Sequence, residues 1–217
     1  MSPNAHKPWR PGPKILLAAT LTLLLVVAQA SDQWIFHHVV YAGMYERRWG
    51  QLLRMSGYLP LWGIVALALM LHDRVRQHRD TLREAGRRGL LLLWSAVLGG
   101  IVGEVLKIAF RRERPGMTDG AYVFRPWSEH PWSTAQFGLP SSEVAVAFAA
   151  AAALARLFPE GRVLWYTLAG ACALTRVASG AHFMSDVVLG AEVGYLMTLA
   201  VWRRRSPRSG VVTEGTG

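Results

Sequence analysis

His182 and Asp186 stand four residues apart, and Arg176 lies six residues upstream of the histidine. On a helix that spacing puts the imidazole and the carboxylate on one face, within reach of each other. A carboxylate there holds the ring in one tautomer and leaves its other nitrogen free to attack. Arg176 adds a permanent cation whose fork can grip a phosphoryl group by two bonds. Together these are a nucleophile, its orienter and an anion clamp. Read alone, the same residues also describe a hydrogen-bonded pair at a helix start, so the rest of the chain has to decide.

Further polar residues punctuate the apolar part of the chain. Lys107 is followed after six residues by Arg114-Pro115, and Pro140-Ser141-Ser142-Glu143 opens the next apolar run. Proline suits the first position of a helix. Ser141 and the free N–H groups behind it would then form an anion site at the positive end of the helix dipole. Cations, a hydroxyl and helix-start amides around one point could stabilise the charge of phosphoryl transfer.

The elements that must position these groups are membrane helices. Of the 217 residues, 52% are hydrophobic and only 18% charged, with nine Trp, far from an ordinary soluble domain. The formal charge of +10 sits in clusters between apolar runs. That pattern argues for membrane orientation and against nucleic acid as the partner. Cys172, the single cysteine, lies inside an apolar run, so no internal disulfide can form.

Apolar runs cover 14–30, 57–71, 89–110, 141–158, 163–178 and 183–202, which predicts an all-α bundle of about six spans. The first run also has the features of a signal peptide, with Ala28-Gln29-Ala30 as a cleavage site. Residues 31–56 mix aromatics with charge and read as short interfacial helices, including His37 and His38. The basic connection 73–88 carries Arg74, Arg76, Arg79, Arg83, Arg87 and Arg88. With Arg156, Arg162 and Arg203-Arg204-Arg205 it belongs on the cytoplasmic side. The expected organisation is a tail over 1–13, two spans with their connections over 14–88, a four-span core over 89–202 and a basic tail over 203–217. Lys107, Arg114, Ser141, Arg176, His182 and Asp186 then all meet at the outer face, and charges at membrane depth mark function by default.

Lys107 with six residues before Arg114-Pro115, then Pro140-Ser141, then Thr175-Arg176 with five residues before His182 and three before Asp186, resembles the three-part signature of the type 2 phosphatidic acid phosphatases, which share their site with vanadium haloperoxidases. The resemblance covers about 89–202. It implies that His182 forms a phosphohistidine with Asp186 orienting it. It further implies that Lys107, Arg114, Ser141, the Ser142 backbone and Arg176 hold the phosphate, with no metal or cofactor. The expected activity is a lipid phosphatase at the periplasmic face of an inner membrane. A lipid pyrophosphate such as undecaprenyl pyrophosphate is the first choice of substrate, ahead of phosphatidic acid, phosphatidylglycerol phosphate and the phosphate of lipid A. A lipid phosphotransferase is the alternative enzyme. So apolar a chain argues against a haloperoxidase, and the oligomeric state cannot be read.

The departure from the family pattern is Glu143, where the family has a histidine held to protonate the leaving oxygen. Three readings stay open: Glu143 is itself the acid; no acid is needed because the leaving group is a phosphate; or the protein binds lipid phosphates without turning them over. His130 and Glu129 are weaker candidates for a replacement acid. Glu104 is expected to pair with Lys107, Glu192 to make an interhelical hydrogen bond, and the glycines of Gly99-Gly100-Ile101-Val102-Gly103 to allow close packing. Arg111, Arg112 and Arg125 are expected either to meet anionic headgroups or to favour a substrate with more than one phosphate.

Overall fold

The computed structural model describes residues 12–41, 43–76 and 86–205. Seven α-helices lie among them: α1 Pro13–Val39, α2 Arg48–Arg54, α3 Leu59–Arg76, α4 Arg87–Phe110, α5 Ser142–Leu157, α6 Arg162–Ala178 and α7 Met184–Arg205. Among the described residues the only β pairing is two isolated bridges in the outer loop, Arg112 with Phe124 and Glu113 with Phe137. The protein is all-helical, as its apolar runs predict. Arg79 and Arg83 of the basic connection, the tail 1–11 and the residues beyond 205 lie outside the described residues.

Helix α5 is the axis of the bundle. Half of its residues are alanine, and Ala145, Ala147 and Ala149–Ala153 are all buried. Small side chains let α4, α6 and α7 approach it closely. The glycines of α4 do what their spacing predicts, since a Cβ on Gly99 would sit 2.9 Å from the Ala145 carbonyl oxygen. Larger residues fill the end of the bundle away from the site: Trp62, Leu91, Leu92, Leu154 and Val201 form one cluster. Outward, Leu23, Val27, Ile64, Ile101, Val105 and Leu174 are exposed. Together with the apolar length of the helices, such a surface suits contact with lipid chains.

Three helices, α1, α4 and α7, have the length and hydropathy to cross a bilayer, and a fourth crossing results if α2 and α3, bent by 64°, count as one. Helices α5 and α6 have 16 and 17 residues. At about 1.5 Å per residue they are shorter than the ~30 Å hydrocarbon core. The site lies at one end of each. Helix α1 also differs from expectation. It runs unbroken through Ala30 and Ser31 to Val39, taking in residues expected to form separate interfacial helices. The short α2 does fit the interfacial reading.

Candidate active site

The start of α5 faces the start of α7. Ser141 is the N-cap of α5, and Pro140, expected as the first helical residue, precedes the cap. The Ser141 N–H donates to the Asp186 carbonyl at 2.9 Å, tying the two helix starts together. The Ser141 hydroxyl makes no capping bond, and its Oγ is buried without a partner among the described residues. Beside it, Lys107 Nζ reaches over from α4 to Ser142 Oγ at 2.8 Å and to Glu104 Oε1 at 2.7 Å, so the expected Glu104 pairing is present.

Arg176 ends α6 and Arg114 leads into the turn at Pro115. Arg176 donates from Nη1 to the Tyr45 hydroxyl at 2.9 Å. The Nε atoms of both arginines are buried and, like Ser141 Oγ, have no partner among the described residues. Buried donors are seldom left in that state, because each costs roughly 1–3 kcal/mol unsatisfied. Burial, and Arg176 beside it, push the Arg114 guanidinium below its ordinary value. A bound anion would relieve that cost.

His182 lies in the turn before α7, two residues short of the helix, while Asp186 sits in the first turn. The two therefore do not share a helix face as their spacing suggests. They still meet, with His182 Nδ1 3.5 Å from Asp186 Oδ2. The closer acceptor is the Gly138 carbonyl, 2.9 Å from Nδ1. A carbonyl can only accept, so Nδ1 carries the proton and Nε2 keeps its lone pair. Gly138 has to be glycine, because a Cβ there would stand 2.7 Å from Asp186 Oδ2. Burial, with Arg176 and Arg114 nearby, pushes the imidazole down to about 4 despite Asp186, leaving it neutral at physiological pH.

Asp186 is over-determined. Its Oδ2 accepts the Phe183 N–H at 2.8 Å and its Oδ1 accepts Arg112 Nη2 at 2.5 Å. Arg112 also donates to Ser185 Oγ at 2.7 Å and lies between the Tyr122 and Phe183 rings. Asp32 of α1, only 1% exposed, completes this layer. It accepts the Ser185 N–H at 2.8 Å, a short bond from the Ser185 hydroxyl, and the Tyr122 hydroxyl at 2.8 Å. A carboxylate on one helix thus caps the N-terminus of another.

Glu143 is paired rather than free. Arg54 donates to it from Nε at 2.9 Å and from Nη2 at 2.6 Å, and Arg176 Nη1 lies 3.5 Å away. Gly57, just beyond Arg54, makes this contact possible, since a Cβ there would come within 2.9 Å of Glu143 Cβ. On its other side Glu143 lines an apolar cleft of about 410 Å3 between α3, α4 and α5, with Leu59, Val97, Ile101 and Val105.

Several expectations are corrected. Arg111, Arg112 and Arg125 face neither headgroups nor a second phosphate. Arg111 is buried and donates to the carbonyls of Arg125, Pro126, Glu129 and Pro131, Arg112 holds Asp186, and Arg125 grips Glu113 at 2.7 Å. The expected interhelical bond of Glu192 is not seen among the described residues, where its Oε1 is buried without a partner. His130 and Glu129 are exposed on the outer loop. Sequence reasoning missed Asp32, Tyr45, Arg54 and Ser185. The one signal was Arg54 itself, a lone charge within Leu52-Leu53-Arg54-Met55.

Two curated relatives, the lipid A 1-phosphatases of Rhizobium johnstonii and Rhizobium etli, are each 36% identical over 121 residues. The matched stretch is 54% of this chain and 48% and 51% of theirs, so the chain spans about half the length of the curated relatives it matches. A crystal structure of a transmembrane PAP2-type phosphatidylglycerolphosphate phosphatase from Bacillus subtilis shares the fold, with a TM-score of 0.58 at 21% identity over 90% of this chain and 98% of that one. The PAP2 superfamily matches residues 88–209, which contain Lys107, Arg114, the helix start at Ser141, Glu143, Arg176, His182 and Asp186. With that match over more than half its length and the three-part motif gathered at one site, the chain belongs to the PAP2 superfamily.

Proposed function

We propose that this protein is a metal-independent lipid phosphatase in which His182 is the nucleophile. The observation that carries the reading is the buried, neutral imidazole beside three orphaned groups, Ser141 Oγ, Arg114 Nε and Arg176 Nε. Lys107 and the first N–H groups of α5 complete a cradle for the phosphoryl group. The Nε2 lone pair attacks phosphorus while Nδ1–H stays on the Gly138 carbonyl, with Asp186 holding the ring as charge develops. The bond to the leaving oxygen breaks and its electron pair departs with the lipid. Water then attacks the phosphohistidine, the P–N electrons return to Nε2, and the surplus proton passes to the departing phosphate.

The leaving group is the point on which Glu143 bears. A carboxylate in a two-bond pair with a guanidinium is ionised and holds no proton to give. That favours substrates whose leaving group needs none. A lipid diphosphate such as undecaprenyl pyrophosphate is the first choice, since it releases a phosphate. The 1-phosphate of lipid A is the second, supported by the names of the two relatives; its sugar oxygen at the anomeric carbon is a better leaving group than an ordinary alcohol. The basic connections argue for an inner-membrane protein with its site at the periplasmic face.

The direct test is rapid acid-free quench of turnover with labelled lipid diphosphate. Label should be trapped on the protein as an acid-labile adduct, and be missing from His182→Ala. Turnover without a trapped adduct in the wild type, under conditions that hold other phosphohistidines, would remove the covalent step.

A further inference from the structure

With Arg111, Arg112 and Arg125 committed elsewhere, the cations for a second phosphate must lie in another place. The outer helix α2 supplies them. Between α2 and the turn at Tyr58 is a cavity of about 700 Å3, lined by Tyr45, Arg48, Gln51, Arg54 and Tyr58 among others. That volume suits a polar headgroup. Two of its walls are continuous with the cradle: the Tyr45 hydroxyl accepts Arg176 Nη1, and Arg54 holds Glu143.

The position of Arg54 fixes what it meets. The Arg54–Glu143 pair stands between two spaces, since Arg54 lines the polar cavity and Glu143 lines the apolar cleft. The cleft suits a lipid chain and the cradle suits the phosphoryl group to be transferred. The bond that breaks therefore lies between them, beside the Arg54–Glu143 pair. Arg54 spends Nε and Nη2 on Glu143, and no protein partner among the described residues takes up Nη1. Its guanidinium is held in place over the Tyr45 and Tyr58 rings, 5.0 and 5.3 Å from their centroids. Arg48 is exposed at the same cavity and makes no hydrogen bond or ion pair with the described residues.

We infer that Arg54 and Arg48 form a second anion subsite that takes the phosphoryl group retained by the leaving lipid, making this site selective for lipid diphosphates over monophosphates. The inference rests on the lipid phosphatase reading and deepens it. On cleavage the bridging P–O bond breaks, its electron pair stays on the lipid monophosphate, and Arg54 Nη1 with Arg48 meets that charge in place of a proton donor. Glu143 then serves to aim Arg54.

The subsite can be measured without turnover, in the His182→Ala protein, by intrinsic tryptophan fluorescence on adding farnesyl diphosphate or farnesyl monophosphate. The parent should bind the diphosphate at least about tenfold more tightly, the effect of one charge-assisted contact. Adding Arg48→Ala, an exposed change that leaves the packing intact, or Arg54→Gln should bring the ratio below about threefold. Equal affinity of the parent for both ligands, or a ratio that survives both substitutions, overturns the subsite. Failure of the phosphatase reading would show separately, as absence of phosphate release by the wild type from any lipid phosphate.

Discussion

The two halves of the molecule contribute to the site in different ways. The part of the chain from α4 onward carries the proposed cradle and His182, on residues that any reader of the motif would mark. The segment before α4 provides Asp32, Tyr45 and Arg54, which touch Ser185, Arg176 and Glu143 from outside the family-matched stretch. The first set are the groups proposed to meet the transferred phosphate; of the second, Asp32 and Tyr45 hold those groups in place, and Arg54 holds Glu143 beside the proposed second subsite. Chemistry in this chain is therefore written locally, while its aim is set by contacts about 90 to 150 residues distant in sequence, such as those of Arg54 with Glu143 and Asp32 with Ser185.

That division can be broken by substitution in each half. In the motif half, Arg176→Ala should lower kcat/KM for phosphate release by about 10³ while the protein stays folded by circular dichroism, because a buried clamp on the transferred group is lost. A loss below tenfold would place the phosphate elsewhere. In the other half, Asp32→Asn keeps the shape of the cap but removes its charge. It should lower kcat by about tenfold with KM nearly unchanged, through the aim of Arg112 on Asp186. Unchanged kcat would reduce α1 to packing.

Glu143→Gln sharpens the comparison at the point where the halves meet. Removing a general acid costs about 10²–10⁴ in rate, whereas removing a residue that aims Arg54 should cost less than tenfold on a lipid diphosphate. A loss in the larger range would restore the acid role. The smallest effect is on stability. His182 titrates near 4 in the folded protein against 6.5 in the unfolded chain, so the unfolded state takes up the proton first as pH falls. The favourable contribution of the neutral ring is complete above pH 6.5 and is lost between there and 4. The thermal midpoint should therefore fall less over that window in His182→Gln than in the wild type. Parallel curves would contradict the buried neutral ring.

The helices and the motif were legible because both are local signals. Apolar runs gave the bundle, and Lys107, Arg114, Ser141, Arg176, His182 and Asp186 were marked by type and spacing. What escaped is non-local. The break at Ser31-Asp32-Gln33 lowers hydropathy and reads as a helix end, yet Asp32 is buried against Ser185 and Tyr122 and the helix continues. Arg111 and Arg112 looked like headgroup ligands because nothing in sequence shows that their partners are carbonyls and Asp186. The acceptor that fixes the His182 tautomer is a backbone carbonyl, which no side-chain pattern can announce.

The most direct measurement is phosphate release by purified protein in detergent, with chelator present, over a panel of lipid mono- and diphosphates, comparing wild type with His182→Ala. Release by the wild type, highest on the diphosphates and reduced by at least about 10³ in His182→Ala, is the predicted result. Release that survives the substitution, or that vanishes with the chelator, would contradict a metal-independent histidine nucleophile.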